Sequence, residues 1–252
     1  KIILDCDPGH DDAFGIMLAA KNTDLLGVTT VGGNGPLKNV TRNALVVLEQ
    51  INRTDIPVYP GHRGPYAAVL ETAANVHGET TLDGPIVSEP ARQPETEHAV
   101  DFICRTIMTT DHVSLVATGP LTNIASAIHK QPEIVKRVDS LYIMGGGAYC
   151  GNWTPAAEYN IYVDPEAAEN VFKSGIPVNM FGLDVTLKAY LNDEEINEIK
   201  AYGNKASDLF RDSNDLLYAH RERIHYEGLC EHDSCPVIYT AHPDWFEGYE
   251  CG

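Results

Sequence analysis

Short apolar runs alternate with longer stretches of helical period along this chain. The runs are Ile2–Leu4, Leu25–Val31, Ile56–Tyr59, Val113–Ala117, Leu141–Met144 and Val178–Phe181. Several are rich in β-branched residues and bounded by Gly, Pro or Asp, which predicts buried strands. Between them, residues 12–20, 37–52, 98–109, 121–129, 165–173 and 193–202 read as helices. Asp164-Pro165 marks one helix start, with Asp as the cap and Pro at the first helical position. Strand alternating with helix predicts an α/β fold: one domain over residues 1–252, with a mostly parallel, Rossmann-like sheet covered by helices on both faces. Ligands of such folds sit at the carboxyl ends of the strands, so polar clusters that directly follow a strand are the ones to read for chemistry. Residues 65–97 carry many Gly, Pro, Thr and Glu without a period, which predicts a long loop acting as a lid or rim. Residues 202–231 are helix-like, charged and rich in aromatics and His.

Charge and composition narrow the partners. The 252 residues carry a formal net charge of -18 with 43% hydrophobic residues, an ordinary globular balance with an acidic surface. Such a surface argues against nucleic acid as the main partner, because phosphate contacts need a basic face. No apolar run approaches the ~20 residues that span a bilayer, so no membrane partner is expected. The six cysteines are scattered, and Cys230 and Cys235 have no second pair at zinc spacing. Free thiols in a reducing cytoplasm are the expectation.

The most unusual stretch is DCDPGHDD at residues 5–12, with four aspartates in eight positions after the first strand. Like charges this close repel unless a cation or a set of hydroxyls lies among them. Oxygen donors on a loop suit Ca²⁺ or Mg²⁺. Helix capping accounts well for Asp11 and Asp12 but poorly for Asp5 and Asp7. Pro8-Gly9 supplies a tight turn. Asn34 ends TTVGGN after the second strand, and Thr118 and Asn123 lie in ATGPLTN after a later one. Taken singly, each reads as a turn or cap. After the fifth run come Gly145-Gly146-Gly147, Asn152, Glu158 and Asn160, without either phosphate-binding glycine spacing. Short hydrogen-bonding side chains of this kind suit a neutral polyol such as a sugar. His232-Asp233 offers an oxygen ligand and a proton donor, and His77-Gly78-Glu79 in the long loop is equally open to a surface role.

Together these clusters resemble one family, the inosine–uridine nucleoside hydrolases. The resemblance rests on DCDPGHDDA at 5–13, TTVGGN at 29–34, NVHGE at 75–79, ATGPLTNIA at 117–125, MGGGAYCGNWTPAAEYNIYVDPEAA at 144–168 and HDSC at 232–235, in the family's order. It implies hydrolysis of the N-glycosidic bond of ribonucleosides, with one Ca²⁺ per subunit at the bottom of a ribose pocket. Asp7, Asp12 and Asp233 would bind the ion through carboxylates and Thr118 through its main-chain oxygen. Asp11, Asn34, Asn152, Glu158, Asn160 and Asp233 would hold the ribose. Asp7 would be the general base for a calcium-bound water. His232 would protonate or steady the departing base, and His77 would close over it. The resemblance further implies a cytoplasmic homo-oligomer, dimer or tetramer, acting in nucleoside catabolism and salvage. Gly9-His10 matches the GHDD of members in the pyrimidine-preferring branch, and the role of His10 is open. Tyr226, His225 and Arg223 fall where the family carries base-recognition residues. Family chains run further after the segment matching Pro236–Phe246, so this chain is expected not to show the C-terminal segment.

Two alternatives keep a place. A haloacid dehalogenase-type phosphatase also begins with DxD after a strand, but Asp5-Cys6-Asp7-Pro8-Gly9 lacks the DxDx[TV] pattern. A non-catalytic, Ca²⁺-dependent ribose or nucleoside binder would use the same residues without turnover.

Overall fold

The computed structural model describes residues 1–213 and 228–250. Six strands form one all-parallel sheet: β1 (Ile2–Cys6), β2 (Leu25–Thr30), β3 (Val58–Pro60), β4 (Val113–Ala117), β5 (Val138–Met144) and β6 (Val178–Phe181). All six predicted strands are present. The third begins at Val58, not Ile56, and ends on Pro60, which an edge strand tolerates because it has no second neighbour to receive an N–H.

The strand order is β3-β2-β1-β4-β5-β6. The chain walks outward from β1 in one direction, then returns to the other side of β1 with β4. At that reversal the connections leave toward opposite faces, and a crevice opens beyond the strand ends.

The pleat divides the core in two. Ile3 of β1 and Leu115 of β4 face a layer built from helices α4 (Ala99–Thr109), α5 (Thr122–Lys130) and α7 (Pro165–Phe172), where Ile103, Ile107, Ile124 and Val171 are buried. Ile2, Leu4 and Cys6 face the opposite layer. There they meet Ile16 of α1 (His10–Asn22), Leu45 and Leu48 of α2 (Leu37–Gln50), and Val237 of the helix Ser234–Ala241. Each aliphatic side chain buried this way contributes about 1.5–3 kcal/mol. A continuous apolar strand is therefore required at β1, which explains why Ile2-Ile3-Leu4 shows no alternation.

Two short helices, α3 (Ala74–His77) and α6 (Tyr159–Val163), lie in segments without helical period. A two-stranded antiparallel ribbon, Tyr190–Leu191 with Leu229–Cys230, adds to the parallel sheet. No helix among the described residues is long and apolar enough to cross a membrane. The described cysteines Cys6, Cys104, Cys150, Cys230 and Cys235 are free thiols.

Candidate active site

The crevice beyond β1 and β4 holds the acidic stretch. β1 ends at Cys6, so Asp7 is the first residue past the sheet. Pro8-Gly9 then turns the chain into α1, whose first turn carries Asp11 and Asp12. Thr118 follows β4 directly, and Asn34 lies in the turn after β2. The topology thus gathers three sequence-distant clusters at one point.

Asp7 is fully buried. Its Oδ2 accepts the Asn34 main-chain N–H at 2.6 Å, while Oδ1 has no hydrogen-bond partner. Gly33 and Gly119 close over this carboxylate so tightly that a Cβ on either would collide with it. Asp12 is better supplied: Oδ2 accepts the Gly9 main-chain N–H at 3.1 Å and Asn34 Nδ2 at 3.2 Å, and Oδ1 accepts Thr118 Oγ1 at 2.9 Å. Asp233 occupies the N-cap position of the helix Ser234–Ala241, yet its carboxylate makes no capping bond. Capping therefore does not account for Asp233.

Asp11, Asp12 and Asp233 place one carboxylate oxygen each within 4.8 Å of one another. This trio takes in Asp11, assigned by the resemblance to ribose, and leaves Asp7 just outside. Burial, then the Asp11 charge, holds the Asp233 carboxyl well above its ordinary range. Burial and the neighbouring Asp12 lift Asp11 to about 7, and burial with the Asp12 charge raises Asp7 strongly. A buried cluster of carboxylates without a counter-charge behaves this way. The orphaned Asp7 Oδ1, the space kept by Gly33 and Gly119, and an all-oxygen donor set fit a hard divalent cation. Thr118 could add its main-chain oxygen, which accepts Asn160 Nδ2 at 2.8 Å.

Above the acids lies a cavity of about 180 Å³, lined by Asp11, Asn34, His77, Thr118, Asn152, Glu158, Asn160, His232 and Asp233. Nine predicted site residues thus share one wall surface, with Asp7 and Asp12 beneath it. Glu158 is the N-cap of α6: Oε1 accepts the Asn160 N–H at 2.9 Å and Oε2 accepts those of Gly146 and Ile161 at 2.9 and 3.1 Å. Its carboxylate is fixed by three main-chain donors rather than left mobile. Asn160 is held by the carbonyls of Thr118 and Met144, and Asn152 Oδ1 accepts the Tyr159 N–H at 2.8 Å.

The two histidines differ. His232 is half-buried, its Nδ1 lies 2.7 Å from Thr186 Oγ1, and desolvation in the site pushes its ring down to about 4. It is uncharged near neutrality, which suits a hydrogen-bonding partner of a leaving base more than a reservoir of protons. His77 reaches the cavity from α3 in the long loop. Tyr226, His225 and Arg223 lie outside the described residues.

Two aromatic contributors were not singled out by the sequence, and three residues that it did mark support the site from behind. Tyr159 and Trp153 line the cavity with their rings 4.8 Å apart, and the Tyr159 hydroxyl lies 2.7 Å from the Gly33 carbonyl. Asp5 and Asn123 form a layer below: Asp5 Oδ1 accepts Thr29 Oγ1 at 2.5 Å and Asn123 Nδ2 at 2.8 Å. Asp164 caps α7 through the Ala167 N–H at 3.0 Å, as predicted, and also accepts Thr122 Oγ1 at 2.6 Å.

The sequence profile of the family described as inosine-uridine preferring nucleoside hydrolase matches residues 2–251. A Photobacterium profundum protein named pyrimidine-specific ribonucleoside hydrolase RihA is 45% identical over 255 residues, covering 99% of this chain and 82% of that protein. Its Escherichia coli namesake is 44% identical over 254 residues, with 99% and 82% covered. Among solved structures, a purine-preferring ribonucleoside hydrolase from Gardnerella vaginalis superposes with a TM-score of 0.91 at 33% identity, covering 96% of this chain and 80% of that one. The plant nucleoside hydrolase PpNRh1 gives 0.91 at 32% identity, with 98% and 80% covered.

Proposed function

This chain belongs to the inosine–uridine preferring nucleoside hydrolase family and hydrolyses ribonucleosides to ribose and free base, and from that premise we propose that it acts on uridine and cytidine with calcium as its ion. Similarity to relatives named pyrimidine-specific supports the base preference. The observation that carries the site is the buried Asp7 carboxylate, one oxygen fixed by Asn34 and the other without a partner, at the floor of the cavity.

Asp7, Asp12 and Asp233, with the Thr118 carbonyl, would hold the ion, and Asp11 stands close enough to join them. Bound calcium supplies positive charge that lets these carboxylates stay ionised, and acidifies and orients water. Asp7 then takes the proton from the attacking water. Asn34, Asn152, Asn160, Glu158 and Asp11 bind the ribose hydroxyls. Their anionic members favour the positive charge that develops on the ring as the bond to the base stretches. His232 and His77 meet the departing base and stabilise the charge it gains. The same reading includes a homo-oligomer in the cytoplasm, which light scattering and localisation would check.

A reducing-sugar assay over a nucleoside panel tests the proposal. Ribose release from uridine and cytidine, little from inosine, and loss on calcium chelation with recovery on calcium addition are expected. Inosine turnover equal to uridine would overturn the base preference. Tight nucleoside binding without ribose release would favour a binding protein, and phosphate release from phosphomonoesters a phosphatase.

A further inference from the structure

His10 has no place in the proposed chemistry, yet it is wholly buried and reaches across 67 residues of sequence to His77. His10 Nδ1 lies 3.0 Å from His77 Nδ1, and its main-chain N–H faces the same nitrogen at 3.3 Å. His10 Nε2 lies 2.7 Å from the Asp83 main-chain oxygen, which can only accept, so that nitrogen carries a hydrogen. The two rings stack with centroids 5.2 Å apart and planes at 23°. Gly9 makes room: a Cβ there would stand 2.8 Å from His77 ring atoms.

The loop is built to keep this contact. The Asp83 carboxylate accepts the main-chain N–H groups of Glu79 and Thr80, each at 3.0 Å, and the Thr80 hydroxyl. It folds residues 77–83 into a turn through Gly78, whose φ of 82° suits glycine. Buried Asn43 on α2 ties that turn down, donating from Nδ2 to the Pro8 carbonyl at 3.1 Å and the Thr80 carbonyl at 3.0 Å. The turn carrying His77 is thus pinned to the start of α1, the same turn that presents Asp7, Asp11 and Asp12.

We propose that His10 is the positioning residue for His77: anchored to the Asp83 carbonyl, it engages His77 at Nδ1 and so assigns Nε2 of His77 to the leaving base. The inference deepens the role given to His77 above and rests on it. The His10 main-chain N–H donates to Nδ1 of His77, so that nitrogen is held as an acceptor, and the hydrogen of a neutral His77 ring stands on Nε2, where it can be offered to the base.

Two variants and two substrates test it, all on the calcium-loaded enzyme. A histidine aiding departure of the base matters for uridine, and hardly for p-nitrophenyl β-D-ribofuranoside, whose phenolate leaves without a proton. Help of this kind is worth about 10²–10⁴-fold, and misplacing the helper forfeits part of that. His10→Gln, which can still reach the Asp83 carbonyl but not His77, should lower kcat on uridine about 10- to 100-fold. It should change the nitrophenyl riboside rate less than about threefold. His10→Asn, whose amide falls near the Nδ1 position, should recover most of the uridine rate. Adding His10→Gln to His77→Phe should cost nothing further. Equal losses of His10→Gln on both substrates, or losses that multiply in the double variant, would show a purely structural role and overturn the inference. If His77→Phe alone leaves uridine turnover unchanged, the assignment of His77 to the leaving base falls, and this inference falls with it.

Discussion

The floor and the roof of the cavity are held in different ways. The floor is made from strand ends. Asp7, Asn34 and Thr118 each follow a strand of one sheet, and Asp12 is fixed by hydrogen bonds from Asn34, Thr118 and the Gly9 main-chain N–H. Buried aliphatic side chains on both faces of β1 keep these ends in register. The roof is made from a long loop whose regular structure here is the one-turn helix α3, and its position depends on a few polar ties at His10, Asn43 and Asp83. A floor of this kind sets charge and geometry permanently, while a roof of this kind can be shifted by changing one residue. Catalytic groups on the floor should therefore show losses in kcat, and changes at the roof should show graded losses sensitive to the substrate.

The largest expected effect is on the floor. Asp7→Asn should leave the circular dichroism spectrum and the fold unchanged and lower kcat by about 10³-fold or more, since it removes the proposed base together with an ion ligand. Near-normal turnover would break the contrast at its root.

Next is removal of the ion. Without it, burial raises Asp11 and Asp5 each to about 7. The folded protein then holds protons that the unfolded chain releases near pH ~4. Carboxyls raised in the folded state contribute stability that is full below the unfolded range and is lost as pH rises toward 7. The melting temperature of chelated protein should fall between about pH 5 and 8. Added calcium should raise it more at pH 8 than at pH 5, because protons compete for the same oxygens. A calcium effect independent of pH would remove Asp11 from the ion site.

The roof should answer more gently. Gly9→Ala puts a methyl group 2.8 Å from the His77 ring and must displace it. We expect kcat/KM for uridine to fall about tenfold, with the melting temperature moved by only a few degrees, measured by steady-state kinetics and calorimetry. An effect as large as that of Asp7→Asn would mean that roof and floor are one unit.

The smallest effect lies at the cap of α7, which also accepts the Tyr66 main-chain N–H at 3.1 Å. Asp164→Ala removes the α7 cap and the Thr122 contact, and should cost about 1–2 kcal/mol. For a chain of this size that is about 2–8 °C in Tm with kcat unchanged.

The strands and long helices were legible because burial on two faces imposes unbroken apolar runs and helical spacing. The Asp164-Pro165 helix start was legible because it is a local cap. The short α3 and α6 were not, since their few residues carry no period and depend on Asp83, Asn43 and the Glu158 cap. The acid cluster was visible as crowded charge, but not its division. Asp11 joins Asp12 and Asp233 in space, while Asp7 faces Asn34. His10 was left open for the same reason: its partners His77 and Asp83 lie 67 and 73 residues away.

By itself, the sequence determined the parallel α/β architecture, the acidic turn after β1 and the family, because these depend on local pattern and on motifs within a few residues. Tertiary structure alone decided which acids meet, which oxygen of Asp7 is left without a partner, and which nitrogen of His77 is held. Those outcomes depend on the strand order that places β4 beside β1, and on a loop folded back onto α1. Each is a distance between residues far apart in the chain, set only when both faces of the sheet are packed.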